Sequence, residues 1–357
     1  MLAESPLINP AAAATIAAEP ASAREPSLRE TLNFGARIEV GARSLMGNQL
    51  PVRRENEDNF VLVDATGRAV WMEQQAEVST ANTDWTPGHV RLAMLDGLGG
   101  HGLGREVAET IARHVATLPP FVDVEAMSEA LDILHSEIFA EFANRGTRGH
   151  PAATLIVLDI PPQGDALLFH VGDSRLYRVP LPGDTPVEQL TIDHVEATTA
   201  YRVNKLSLEA WRDRTQYGSG AALAQAFGCL STLDNPAEGS TTLCRLRADD
   251  LPAAIAHLED RRALKLDPDA VYFLGTDGWW ATTESLEWLA RWPALLNQPG
   301  RPMPYALDDL VTELLLHPPA DLKQDNTTAI AFRLRPQPPT ALTCDQTFVS
   351  AATGETC

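Results

Sequence analysis

The chain has 357 residues and a formal net charge of −20, from 28 Lys and Arg against 48 Asp and Glu, and 44% of it is hydrophobic. Apolar material in organised runs excludes a wholly disordered chain, and the acidity argues against nucleic acid as the main partner. No apolar window reaches the roughly 18 residues of a membrane span, and the N-terminus lacks the basic residues and apolar stretch of a secretory signal. The four cysteines, Cys229, Cys244, Cys344 and Cys357, form neither a CxxC pair nor a disulfide ladder, so a reducing cytoplasm is expected.

Residues 1–34 are rich in Ala, Pro, Ser and Glu, carry no apolar period and read as a disordered tail; 336–357 reads as a second. Residues 35–335 between them fit one domain. Within it, 59–63 (NFVLV) and 90–95 (VRLAML) predict strands. Residues 105–118 place Val107, Ile111, Val115 and Leu118 on one helical face, and 124–142 repeat that period. Strand-like runs follow at 153–159, 166–171 and 175–179, the first two joined by the turn sequence PPQG. Residues 270–275 predict a buried strand, ESLEWLARWPALL and ALDDLVTELLL two helices, and 327–334 a last strand. Hairpins of strands alternating with pairs of helices predict an α+β fold of antiparallel sheets packed on helices. Segments 64–89 and 195–218 fit neither period and read as insertions or flaps. Trp279, Trp280, Trp288 and Trp292 read as core aromatics, helix 124–142 as core, and His170 as a satisfied buried imidazole.

The aspartates carry the chemistry. Asp58 precedes the strand at 59–63, Asp96 follows that at 90–95, Asp173 follows that at 166–171, Asp277 follows that at 270–275, and Asp325 precedes the last strand. An aspartate often merely ends a strand or makes an Asx turn. All five adjoining strands, however, points to carboxylates held at one rim, where their repulsion calls for cations. An all-oxygen set suits Mg²⁺ or Mn²⁺ rather than Zn²⁺ or Cu²⁺, and the Gly97 carbonyl could approach such an ion closely. The run Gly97–Gly102 also satisfies G-x-G-x-x-G, but Asp96 would repel a pyrophosphate, and no acidic residue ends a second strand where a ribose contact belongs. No G-x-S-x-G elbow is present.

The segments VRRENEDNF, LAMLDGLGGHGLGREVAE, ATLIVLDI…LLFHVGDSRLYRV, LTIDHVEA, LAQAFGC, YFLGTDGWW and QDNTTAIAF occur in this order. Together, over about residues 36–334, they resemble the metal-dependent PP2C-type (PPM) serine/threonine protein phosphatases of the bacterial branch. The resemblance implies an α-β-β-α sandwich of two antiparallel sheets flanked by helical pairs. It implies that Asp96 bridges two Mg²⁺ or Mn²⁺ ions, that the Gly97 carbonyl binds one, and that Asp277 and Asp325 complete a shell. It implies further that Asp58 ligates or holds coordinated water, with Glu57 and Asn326 in support, and that Asp173 helps hold a third ion. It implies that Arg53, or its neighbour Arg54, grips the substrate phosphate. Water activated between the ions would attack phosphorus, releasing serine or threonine without a phosphoenzyme.

Three positions depart from the family pattern. Leu98 stands where many members carry a histidine, leaving His101 as the candidate general acid; Ala152-Ala153-Thr154 replaces Gly-Thr-Thr; and Ala281 replaces a further acid. The expected partner is a phosphorylated protein with a cognate Ser/Thr kinase, in signalling or secretion control, and the expected state a monomer. Specificity is expected to lie in 64–89 and 195–218. The competing readings are a catalytically weak scaffold or sensor that binds a phosphorylated partner, and a nucleotide-processing metal hydrolase.

Overall fold

Uninterrupted apolar runs become strands here because both of their faces are covered. The computed structural model describes residues 26–49, 53–98, 103–143, 145, 150–216, 222–234 and 238–335. One antiparallel sheet has the spatial order β1 (Ile38–Leu45), β14 (Thr327–Leu334), β13 (Ala270–Gly275), β10 (Arg175–Pro180), β11 (Glu188–Gln189). The other runs β12 (Arg261–Leu264), β9 (Ala166–Val171), β8 (Leu155–Ile160), β5 (Val90–Leu95), β2 (Asn59–Val63), β3 (Arg68–Glu73), β4 (Ala76–Ala81), also antiparallel throughout. A short ladder pairs β6 (Gly97–Leu98) with β7 (Ala152–Ala153).

The strand period of two sorts each run between two apolar layers. Phe60, Leu62, Leu92 and Met94 face the second sheet, meeting Ile38, Leu176, Tyr272, Leu274, Ile330 and Phe332 in the central layer. Val61, Val63, Ala93 and Leu95 face outward, onto α1 (Gly104–Thr117) and α2 (Val124–Phe142). The α1 face is Val107, Ile111 and Val115, and α2 begins where the Asp123 carboxylate accepts from the Ala126 N–H at 2.8 Å. Two shorter helices, α3 (Glu196–Arg202) and α4 (Leu208–Gln216), come next in the chain. On the far face, α5 (Ser285–Leu296) and α6 (Met303–Leu316) cover Tyr177, Val271, Phe273 and Ala331. The architecture is α-β-β-α, as expected. Trp279, Trp280, Trp288 and Trp292 are all buried on that far face, and the Trp288 indole donates to the Trp279 carbonyl at 2.7 Å. No described helix is long and apolar enough to cross a membrane.

Several expectations need correction. Segment 64–89 is not an insertion: it holds β3 and β4, which extend the seven-stranded sheet beyond β2. Their hairpin turns at Gln74 and Gln75, both at positive φ (50° and 67°), where glycine or asparagine is the usual signal. Strand β1, not predicted, closes the other sheet against β14. Part of the N-terminal tail is ordered. Residues 28–31 form a 3₁₀ turn, Leu28, Leu32 and Phe34 pack on the central layer, and Arg29 pairs with Glu77 of β4 at 2.9 Å. Of segment 195–218, residues 195–216 are described and hold no strand of either sheet, yet α3 and α4 share a small core of their own, with Tyr201 and Trp211 stacked at 5.4 Å beside Leu246 and Ile255. Residues 1–25, 336–357 and His101 lie outside the described residues, as do Cys344 and Cys357; Cys229 and Cys244 are free thiols.

Candidate metal centre

Ladder register explains why distant aspartates meet. Asn59 pairs with Leu95, so Asp58 and Asp96, each one residue beyond, share a rim of the seven-stranded sheet. Gly275 pairs with Ala329, which brings Asp277 and Asp325 to the same end of the other sheet. Asp173 lies where the chain passes from β9 in one sheet to β10 in the other. Two carboxylates from one layer and two from the next thus surround the crossover that carries the fifth.

The charges of these aspartates act on one another. Burial pushes Asp58 up to about 8, with the Asp277 charge adding to it and a hydrogen bond from Thr276 opposing it. Burial raises Asp96 well above its ordinary value, and Asp58, Asp277 and Asp173 raise it further. Asp173 rises to about 7 through burial and the charges of Asp277 and Asp193. Burial also raises Asp277, against the pull of Lys323. Glu57 is raised by its own burial and by Glu55. Carboxylates that resist ionisation together favour whatever cation enters among them.

The backbone under these groups is pinned by residues that sequence reasoning missed. Thr154, fully buried, accepts from the Asp96 N–H at 3.0 Å and shares a 2.6 Å hydrogen bond with Ser174, tying the Asp96 and Asp173 loops together. The Thr276 hydroxyl donates to Asp58 at 2.8 Å. The Asn326 amide oxygen accepts from the Glu57 N–H at 3.0 Å, and its nitrogen donates to the Met46 and Glu55 carbonyls, so Asn326 supports the Glu57–Asp58 loop through the backbone. Buried Asn48 donates to the carbonyls of Gly278 and Lys323 at 2.8 and 2.9 Å and accepts from the Asp325 N–H at 3.3 Å. Asn48→Ala strands these groups, and at about 1 kcal/mol or more per buried orphan the loss should be roughly 3 kcal/mol in urea unfolding. A loss below about 0.5 kcal/mol, the size of an ordinary surface change, would remove Asn48 from the scaffold.

Two glycines are demanded by close approach. A Cβ on Gly97 would lie 2.4 Å from the Gly104 carbonyl oxygen and 2.6 Å from that of Glu57; one on Gly278 would lie 2.3 Å from the Asn326 oxygen. Each Asp-Gly pair therefore lets neighbouring loops close beneath its aspartate. Leu98 is tied into the β6–β7 ladder opposite Ala152. His170 is buried as expected. Its Nε2 lies 2.9 Å from the Ser174 carbonyl, but its Nδ1 has no partner among the described residues, and burial holds the ring well below its usual range.

Among the described residues, two cations pair directly with these aspartates. Arg53, 43% exposed at its side chain, pairs with Asp325; Arg54 is also exposed. Lys323, which sequence reasoning overlooked, pairs with Asp277 and lies 2.7 Å from Asp325. Desolvation acts to lower its ammonium, but Asp277, Asp325 and Asp96 outweigh this and raise it above its ordinary value. As the side chains stand, no three His, Cys, Asp or Glu groups among the described residues are close enough to hold an ion. The donors nevertheless fit a hard divalent cation. All are oxygen, most resist ionisation without a counter-charge, and Asp277 Oδ1 is buried with no hydrogen-bond partner among the described residues.

No protein-family model matches the chain, and no curated protein matches it significantly. Solved structures do. A bacterial serine phosphatase is 15% identical, with 84% of this chain and 99% of that one covered and a TM-score of 0.57. A serine/threonine phosphatase of S. agalactiae is 19% identical, with 84% and 100% covered and a TM-score of 0.55. The catalytic domain of the serine/threonine protein phosphatase PstP, in complex with two manganese ions, is 18% identical, with 84% and 99% covered and a TM-score of 0.50. The chain has the fold of the bacterial PP2C-type serine/threonine phosphatases.

Proposed function

We propose that this chain is a divalent-metal-dependent phosphatase acting on phosphoserine and phosphothreonine in proteins. The observation that carries the reading is the strand register that gathers the strand-end carboxylates of Asp58 and Asp96 from one sheet and Asp277 and Asp325 from the other around the passage holding Asp173, on this fold. Asp96 would hold two Mg²⁺ or Mn²⁺ ions and the Gly97 carbonyl would bind one of them, Asp277 and Asp325 would complete one shell, Asp58 would ligate an ion or hold its water with Glu57 and Asn326 in support, and Asp173 would serve a third ion. Ions held there would act as Lewis acids on the phosphoryl oxygens and make a neighbouring water more acidic near neutral pH.

The chain's own groups do the rest. Arg53 offers a planar, permanently charged fork to the non-bridging oxygens and stabilises charge as it spreads over them. His101 is the candidate donor of a proton to the departing serine or threonine oxygen. No covalent nucleophile is needed. A phosphorylated protein is the partner in this reading, and a Ser/Thr kinase is the class of enzyme that supplies it.

Metal-stripped protein given Mn²⁺ should release phosphate from phosphoserine and phosphothreonine peptides, fall to background in EDTA, and act more slowly on free nucleotides. Phosphopeptide binding without release, unchanged in Asp277→Ala and Asp325→Ala, would identify a scaffold instead. Preference for nucleotides would identify a nucleotide hydrolase.

A further inference from the structure

The sequence has three lysines, Lys205, Lys265 and Lys323, against 48 acidic residues. Lys205 and Lys265 are exposed. The third sits in Lys323-Gln324-Asp325-Asn326 and places its ammonium between the carboxylates of Asp277 and Asp325, at 2.7 Å from the latter. Its backbone is fixed at both ends: the N–H donates to the Ala281 carbonyl at 2.9 Å, and the carbonyl accepts from Asn48 at 2.9 Å. Its side chain is 49% exposed, so the four-carbon stem has an open side into which to swing. A lysine head is a compact charge on a flexible stem, easier to move aside than a bidentate arginine.

We infer that Lys323 is a tethered counter-cation of the ion-free centre, occupying Asp277 and Asp325 until a divalent ion displaces it. The inference rests on the proposed metal-dependent reading and adds a device to it. Two acids that repel each other stay paired without metal, and ion affinity is lowered by the fraction of time the ammonium is in place. If that fraction is about nine-tenths, the apparent dissociation constant rises about tenfold. The lysine would thereby set the divalent-ion concentration at which the centre fills.

The test uses the wild-type full chain, stripped of metal, and the acylation of its lysines by acetic anhydride, read by mass spectrometry with Lys205 and Lys265 as internal references. Lys323 should acylate several-fold more slowly than these without metal, and at least about fivefold faster once Mn²⁺ is bound, as the ammonium leaves its pair. Calorimetric titration completes the test. Lys323→Met should bind Mn²⁺ about tenfold tighter, whereas Lys323→Arg, which keeps the charge on a head that is harder to displace, should bind no tighter than wild type. Lys323 acylating as fast as its references without metal, or Mn²⁺ binding with no change in its rate, overturns the inference and leaves the metal reading standing; so does unchanged or weaker Mn²⁺ binding by Lys323→Met. Absence of Mn²⁺ binding in every form overturns both.

Discussion

Asp96→Asn is expected to lower Mn²⁺-dependent phosphate release at least about a thousandfold, ~4 kcal/mol of transition-state stabilisation, with the fold intact. Asparagine keeps the volume, and the local scaffold acts on the backbone: Thr154 accepts from the residue-96 N–H and donates its own N–H to the residue-96 carbonyl at 2.9 Å. What is lost is charge at the one carboxylate that feels Asp58, Asp277 and Asp173 together. A neutral amide there leaves the central position with a weak donor toward any hard cation. Phosphate release and Mn²⁺ titration on the same preparation check this, with circular dichroism reporting the fold. Turnover within about tenfold of wild type, only ~1.4 kcal/mol, would show that Asp96 is not central to the chemistry.

The second large effect concerns pH. Asp58 titrates at about 8 and Asp173 at about 7 in the folded chain, and Asp96 and Asp277 are raised with them. In the unfolded chain all four revert to about 4. Between those values the folded state holds more protons than the unfolded state, so raising pH favours unfolding. His135 and His170, lowered by burial, act in the opposite sense, but only below about 6.5, where an unfolded histidine takes up a proton. Asp159 and Asp321, held low by Arg91 and His89 and by Thr282 and Thr283 respectively, act below about pH 4. The raised acids therefore act unopposed by these groups from about pH 6.5 to 8. Metal-free protein should lose stability across that window by roughly 1.4 kcal/mol per pH unit for each acid still protonated. Excess Mn²⁺ should flatten or reverse the slope, since a bound ion favours the ionised ligands. Thermal melts in EDTA and in Mn²⁺ at several pH values measure both. A metal-free melting temperature that is flat or rises over this range would contradict the raised cluster.

Much of the fold was legible because the chain marks its strands plainly. NFVLV and VRLAML are buried on both faces, and an aspartate stands at the boundary of each. Helices α1 and α2 fell within a residue of their expected bounds because a wide apolar stripe has only one period. The hairpin of β3 and β4 was illegible because its turn uses two glutamines at positive φ and because β4, at the sheet edge, is largely solvated. Strand β1 was hidden by Arg43, whose carboxylate partner, Asp308 at 2.5 Å, lies 265 positions away on α6. The site divides along the same line. Carboxylates at strand ends are local facts, whereas Asn48 and Lys323 act on groups far away in the chain or through rotamers that no local pattern encodes. The surviving signal for Lys323 was its rarity: one of three lysines, placed two residues before an aspartate.

The group of carboxylates belongs to neither layer. Asp58 and Asp96 ride on one sheet, Asp277 and Asp325 on the other, and what sets their separation is the seam of Phe60, Met94, Leu274 and Phe332 behind them. Such a seam is close-packed and passes on small changes in volume. A methylene added or removed there would slide one pair of acids past the other, detuning the chemistry from inside the molecule with every acidic group still in its own loop.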